Sequence, residues 1–141
     1  MKKSTFVSNS PRATQALGSK IAKSILKFPI GKHAAVVSLE GDLGSGKTTF
    51  SQGFAKGLGI KQNVTSPTFV IVKPYKIRDT RYKLFYHIDC YRIHKPKELL
   101  DLGWKEILKN PRAIILIEWG DQVRRILPKD SIRIAFSHGV I

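Results

Sequence analysis

Apolar residues return every fourth position at Ala13, Leu17, Ile21 and Ile25, behind Ser10-Pro11, a hydroxyl N-cap with proline in the first turn. The spacing predicts an amphipathic first helix that ends before Pro29. Ahead of it, residues 4–7 read as a short strand. Residues 34–39 are apolar and partly β-branched and stop at Glu40-Gly41, which predicts a buried strand followed by a turn. A glycine-rich stretch comes next, then a helix with Phe50, Phe54 and Leu58 on one face, closing at residues 57–59. Residues 63–67 carry turn chemistry into a strand over 68–72, and Pro74 confines that strand to an edge. Residues 83–89 predict another strand, 98–102 a short helix halted by Gly103, and 104–108 a further one. Residues 113–117 are the most apolar strand of all, and 132–136 the last.

Strand, loop, helix and strand in this order predict an α/β fold: a three-layer P-loop NTPase-like domain whose central, mostly parallel sheet is flanked by helices, with some antiparallel edge strands. At 141 residues and 42% hydrophobic, the chain suits one such domain over 1–141 and leaves no room for a second.

The glycine-rich stretch decides the chemistry. Gly41-Asp42-Leu43-Gly44-Ser45-Gly46-Lys47-Thr48 matches G-x-x-x-x-G-K-[ST] in full and lies between a predicted strand and helix, where the mechanism requires it. Its glycines let consecutive backbone N–H groups converge on phosphate oxygens, and the helix adds its positive end. Gly44, Ser45, Gly46, Lys47, Thr48 and Thr49 are therefore the candidate phosphate-binding residues. Lys47 is expected on the β- and γ-phosphates, Thr48 on a Mg2+ ion, and Thr49 toward the α-phosphate. No N-K-x-D tetrapeptide is present to read guanine, so ATP is the expected nucleotide.

Hydrolysis or transfer also needs an acid to organise magnesium or the nucleophile. Glu118 follows the apolar run 113–117, at the carboxyl end of a predicted buried strand, and is the candidate second Mg2+ residue. Asp89 shares a strand face with His87 and Tyr91; orientation of an attacking water and a strand-end cap on Arg92 are both open to it. His87 reads as a satisfied structural histidine rather than a general base, and Arg92 as a surface ion pair rather than a phosphate clamp. The Ser66-Pro67-Thr68 loop is either a γ-phosphate switch or a plain turn, and Trp119 either neighbours the nucleotide or packs in the core.

Charge and cysteine usage add less. With 25 Lys+Arg against 10 Asp+Glu the formal charge is +15, which attracts polyanions. The basic residues are scattered, so a solvated lysine-rich surface is the plainer reading, with contact to tRNA left open. The single cysteine, Cys90, the short apolar runs and a polar N-terminal stretch point to a reducing compartment, no membrane span and a cytoplasmic location.

Four elements in order, Gly41-Asp42-Leu43-Gly44-Ser45-Gly46-Lys47-Thr48-Thr49, Ser66-Pro67-Thr68-Phe69, His87-Ile88-Asp89-Cys90-Tyr91-Arg92 and Glu118-Trp119, together resemble the TsaE (YjeE) family. The resemblance implies an ATPase that acts with TsaD and TsaB in threonylcarbamoylation of adenosine 37 in tRNA, without transferring the group itself; a low intrinsic rate is expected because no arginine or lid is evidently placed in the chain to complete the transition state. It implies phosphate binding by Gly44, Gly46, Lys47, Thr48 and Thr49, magnesium at Thr48 and Glu118, a supporting catalytic role for Asp89 and a switch at Ser66 to Thr68. Arg12 and Thr14 fall where the family's adenine pocket begins. The isolated chain is expected to be a monomer. The alternative is a small-molecule or nucleoside kinase built on the same cradle, which the lack of an arginine-rich lid or acceptor domain disfavours.

Overall fold

Ser10 caps the first helix, α1 (Pro11–Leu26), by accepting the Ala13 N–H at 3.1 Å, with proline in the first turn. The buried stripe of α1 is Gly18, Ala22 and Ile25, whereas Ala13 is exposed. The apolar spacing therefore located the helix but not its contact line. That line is set by small residues, because α1 lies directly on α2 (Lys47–Gly57). A Cβ on Gly53 would stand 2.0 Å from the Gln15 carbonyl oxygen, and one on Gly18 would stand 2.4 Å from that of Phe50. Only glycine allows the two backbones so close.

The structure is a computed structural model that describes residues 5–41, 46–62, 64, 72–78 and 81–137. Its strands are β1 (Ala35–Gly41), β2 (Val72–Lys76), β3 (Leu84–Asp89), β4 (Ala113–Glu118) and β5 (Ile132–Phe136), in the order β2-β3-β4-β1-β5. Strands β3, β4, β1 and β5 are parallel, and β2 joins β3 antiparallel at the edge. Pro74 sits within β2, where an edge strand tolerates its missing N–H.

One sheet face carries Val37, Leu39, Phe85, Ile114 and Leu116 against Phe50, Phe54, Ala22 and Ile25 of α1 and α2. The other carries Val36, Ile88, Ile115 and Ile117 against Leu99 of α3 (Pro96–Asp101), Trp104 of α4 (Trp104–Leu108) and Val123 of a 3-10 segment, Gly120–Ile126. Strand β4 is buried along its whole length, as expected of a central parallel strand covered on both faces. This is the three-layer α/β architecture that the order of elements predicts.

Three expectations change. Residues 5–7 form no strand, and Phe6 and Val7 are exposed; among the described residues β2 and β5 occupy the sheet edges, and residue 4 of the expected strand lies outside them. β1 runs on through Glu40 and Gly41, which pair with Ala135 and Phe136, so the turn begins later than the apolar run suggests. The observed edge strand is Val72–Lys76; the segment 68–71 expected to precede it lies outside the described residues. The 3-10 segment had no signature in the hydrophobic pattern.

Candidate functional site

Strands β1 and β4 are parallel neighbours, with Leu39 opposite Glu118, so their carboxyl ends emerge side by side. The chain leaves β1 at Gly41 (φ 119°) and enters α2 from Gly46 (φ 105°), both in the left-handed region that glycine adopts without strain. The N-terminal end of α2 is thereby aimed past the end of β4, where open α/β sheets bind ligands. Gly44 and Ser45 of the cradle and the Ser66-Pro67-Thr68 loop lie outside the described residues.

Lys47, Thr48 and Thr49 occupy the first turn of α2. Lys47 is 5% exposed; its Nζ donates to the Gly41 carbonyl at 2.9 Å and stands 4.0 Å from the centroid of the Trp119 ring. Trp119 adopts φ 60°, ψ 40°, the only positive φ of a non-glycine residue among those described. A bulky side chain held there is strained, and here the strain turns the indole onto the lysine and Tyr91, whose ring lies 5.2 Å away.

Glu118, 2% exposed, gathers three donors. Thr48 Oγ1 donates to its Oε1 at 3.2 Å, while His87 Nε2 at 2.6 Å and Ser51 Oγ at 3.3 Å approach its Oε2. The pairing of Asp89 with Glu118 in the β3–β4 register brings the second carboxyl to the same strand end. Asp89 Oδ1 accepts the Tyr91 N–H at 2.9 Å, not a bond from Arg92, which is exposed. Burial raises the Asp89 pKa above its ordinary 3.8; the Tyr91 N–H opposes this, the Glu118 charge raises it further, and His87 and Lys47 lower it, leaving the net direction upward.

Lys47, Thr48, Asp89, Glu118 and Trp119 thus converge, as does His87, which is not the satisfied structural histidine that the sequence suggested. Its ring is fully buried on Glu118, and its Nδ1 has no partner among the described residues. Thr14 lies close by: its methyl is 3.7 Å from where a Cβ on Gly46 would stand, and its hydroxyl is 2.6 Å from that of Ser8. Arg12 is exposed in the first turn of α1. Cys90 is buried, and burial pushes its thiol up to about 12, so it serves as a packing group.

Hard oxygens at Thr48 and Glu118, beside the N-terminal end of α2, are of the kind that magnesium takes alongside water and phosphate oxygens. Among the described residues no three His, Cys, Asp or Glu side chains form a group able to hold a metal by themselves. No helix among them is long and apolar enough to cross a membrane.

Two contributors escaped the sequence reading. Ser51 lies one turn beyond Lys47 on α2, so projection at i, i+4 would have found it. Glu40, 7% exposed at the end of β1, binds Arg124 Nη2 at 2.6 Å, Arg133 Nη2 at 3.1 Å and Ser38 Oγ at 3.2 Å. Gly120, which follows Trp119, packs so tightly on Ser38 that a Cβ would stand 1.8 Å from its hydroxyl oxygen. The start of the cradle and the segment after Glu118 are therefore locked together.

A family model described as threonylcarbamoyl adenosine biosynthesis protein TsaE matches residues 8–140. The tRNA threonylcarbamoyladenosine biosynthesis protein TsaE of Haemophilus influenzae is 42% identical over 115 residues, covering 82% of this chain and 70% of that protein. Its namesake in Bacillus subtilis is 41% identical over 134 residues, covering 95% and 77%. The crystal structure of YdiB from Bacillus subtilis is similar at a TM-score of 0.68 and 34% identity, over 91% of this chain and 72% of that one. With the family match spanning residues 8–140 and the fold shared with a solved structure at 34% identity, the chain belongs to the TsaE family.

Proposed function

We propose that this chain binds ATP with magnesium at the turn between β1 and α2 and hydrolyses it in support of tRNA threonylcarbamoylation, in partnership with TsaD and TsaB. The observation that carries the proposal is the 3.2 Å bond between Thr48, in the first turn of α2, and Glu118, at the end of β4, beside the buried Lys47.

Lys47 would exchange the Gly41 carbonyl for phosphate oxygens, trading a neutral acceptor for a charged one. Thr48 and Glu118 would hold the metal, which when bound offsets charge gathering on the phosphoryl oxygens. Asp89, whose pKa burial raises, would orient the attacking water. Arg124 and Arg133 are held by Glu40 and not offered to the phosphates in this arrangement, and a transition-state cation supplied by a partner would agree with a low rate in the isolated chain. The location follows as cytoplasmic, where tRNA is modified.

The test is a titration of ATP, ADP and GTP, with and without magnesium, TsaD and TsaB, following complex formation and phosphate release. ATP and ADP should bind more tightly than GTP, and partners should raise turnover. Lys47→Ala should lose about thirtyfold in ATP affinity, on the order of 2 kcal/mol for the charge-assisted bonds removed. A chain that binds no nucleoside triphosphate would end the proposal, and phosphate release that required a small hydroxyl acceptor would replace it with a kinase.

A further inference from the structure

Glu118 has its two oxygens in different company. Oε1 accepts only from Thr48 among the described residues, at 3.2 Å, whereas Oε2 faces His87 Nε2 at 2.6 Å and Ser51 Oγ at 3.3 Å. A serine hydroxyl has one proton, and Ser51 Oγ also lies 2.9 Å from the Lys47 carbonyl, the i−4 acceptor of its own helix. When that proton goes to the shorter bond, His87 is the one donor left on Oε2. A carboxylate that holds a cation only accepts, and at 2.6 Å the Nε2 of His87 answers such a carboxylate in its N–H form.

The other ring nitrogen supports a reading beyond packing. His87 is fully buried, and its Nδ1 finds no partner among the described residues. A ring needed only to fill this space would be better as phenylalanine, which has no polar atom of its own to leave unmet. The plane of the imidazole is fixed by Phe85, stacked at 6.2 Å and 10°. β3 sets the reach, since His87 stands two residues before Asp89, the residue paired with Glu118 in the strand register.

We propose that His87 is a positioning residue: its Nε2–H ties Glu118 Oε2 to the sheet, so that the carboxylate offers Oε1 alone, beside Thr48, to the magnesium–nucleotide. The proposal rests on the reading of Glu118 as a magnesium residue. A carboxylate free to rotate would present either oxygen or both, and would share its time between Thr48 and the metal in the wrong geometry.

The experiment compares His87→Phe, which keeps the ring and its stacking, with His87→Gln, which returns an N–H donor. For each, ADP affinity is measured with EDTA and with magnesium, and phosphate release at saturating ATP is followed across a magnesium series. His87→Phe should bind ADP within about twofold of the parent in EDTA, lose most of the gain that magnesium gives, and fall at least about tenfold in kcat; His87→Gln should recover a substantial part of both. Nitrogen-15 NMR of the histidine-labelled parent gives a readout independent of turnover and of variant folding, and should show a protonated Nε2. A folded His87→Phe with parental magnesium response and kcat would overturn the proposal, as would a bare Nε2. A parent without nucleotide affinity would instead overturn the proposed function itself.

Discussion

Glu40 closes β1 and Glu118 closes β4, on adjacent strands of one sheet, and both are nearly out of solvent, at 7% and 2% exposure. Glu118 shares its face with Leu39 and looks toward α2; Glu40, one residue further along β1, looks to the opposite face and the 3-10 segment. That change of face decides what each meets. Glu40 is held by two guanidinium groups. Burial works to raise its pKa, but the hydrogen bonds and charges of Arg133 and Arg124 outweigh it and hold the carboxyl below its ordinary 4.5. The side chains around Glu118 are instead a threonine, a serine and an imidazole, with no arginine among them. A carboxylate answered by arginines is finished as a structural tie, whereas one held by polar groups beside a second acid can still recruit a cation. The same residue type at neighbouring strand ends therefore sits in two environments, and the charge of its neighbours separates them.

Exchange experiments sharpen this contrast. The largest effect is expected for Glu118→Gln, with phosphate release reduced about 100-fold, about 2.7 kcal/mol, and metal-free nucleotide affinity kept within about threefold. Next is Glu40→Ala, which should lose about 2 kcal/mol of stability by denaturant unfolding. This is less than a fully buried pair would cost, because the Arg124 and Arg133 side chains remain 53% and 55% exposed and can be rehydrated. If Glu40→Ala left stability untouched while Glu118→Gln removed it and spared hydrolysis, the two roles would be exchanged. Smaller again, Asp89→Asn should stabilise the nucleotide-free chain by about 0.5 kcal/mol, since the amide still accepts the Tyr91 N–H but no longer sets a charge against Glu118. It should lower phosphate release at the same time.

The smallest effect is in the pH dependence, and it has opposite signs at the two ends. Glu40 has a lowered folded pKa, so its contribution is complete above the unfolded value near 4.5 and is lost as pH falls through the folded one. Glu40→Gln should flatten that acid limb by about 0.3 kcal/mol or less, given the exposure of its partners. Asp89 has a raised folded pKa, so ionisation removes stability as pH rises from 3.8 through the folded value, and Asp89→Asn should abolish that loss. Unfolding free energies of both variants across the carboxylate range check the two slopes; equal slopes would contradict the assignment.

The elements were largely legible because their signals are local. The β-branched run before Glu118, the Ser10-Pro11 cap and the glycines around Lys47 each act through backbone preference within a few residues. What escaped was relational. The contact stripe of α1 shifted to Gly18 and Ala22 because glycines on α2 set how closely the two helices approach. His87 looked like an ordinary strand histidine because Glu118, its partner, lies 31 positions away in sequence. Glu40 looked like the end of a run because Arg124 and Arg133 are 84 and 93 positions distant.

The sequence by itself determined that a strand leads into a glycine-rich G-x-x-x-x-G-K-[ST] stretch, that a helix follows it, and that an acid ends the most apolar strand, since each depends on residue type and short spacing. Only the tertiary structure decided which acid binds arginines and which faces Thr48, and that a histidine holds the latter. Those outcomes depend on which strands lie side by side and on which face of the sheet a side chain emerges, and no local propensity carries that information.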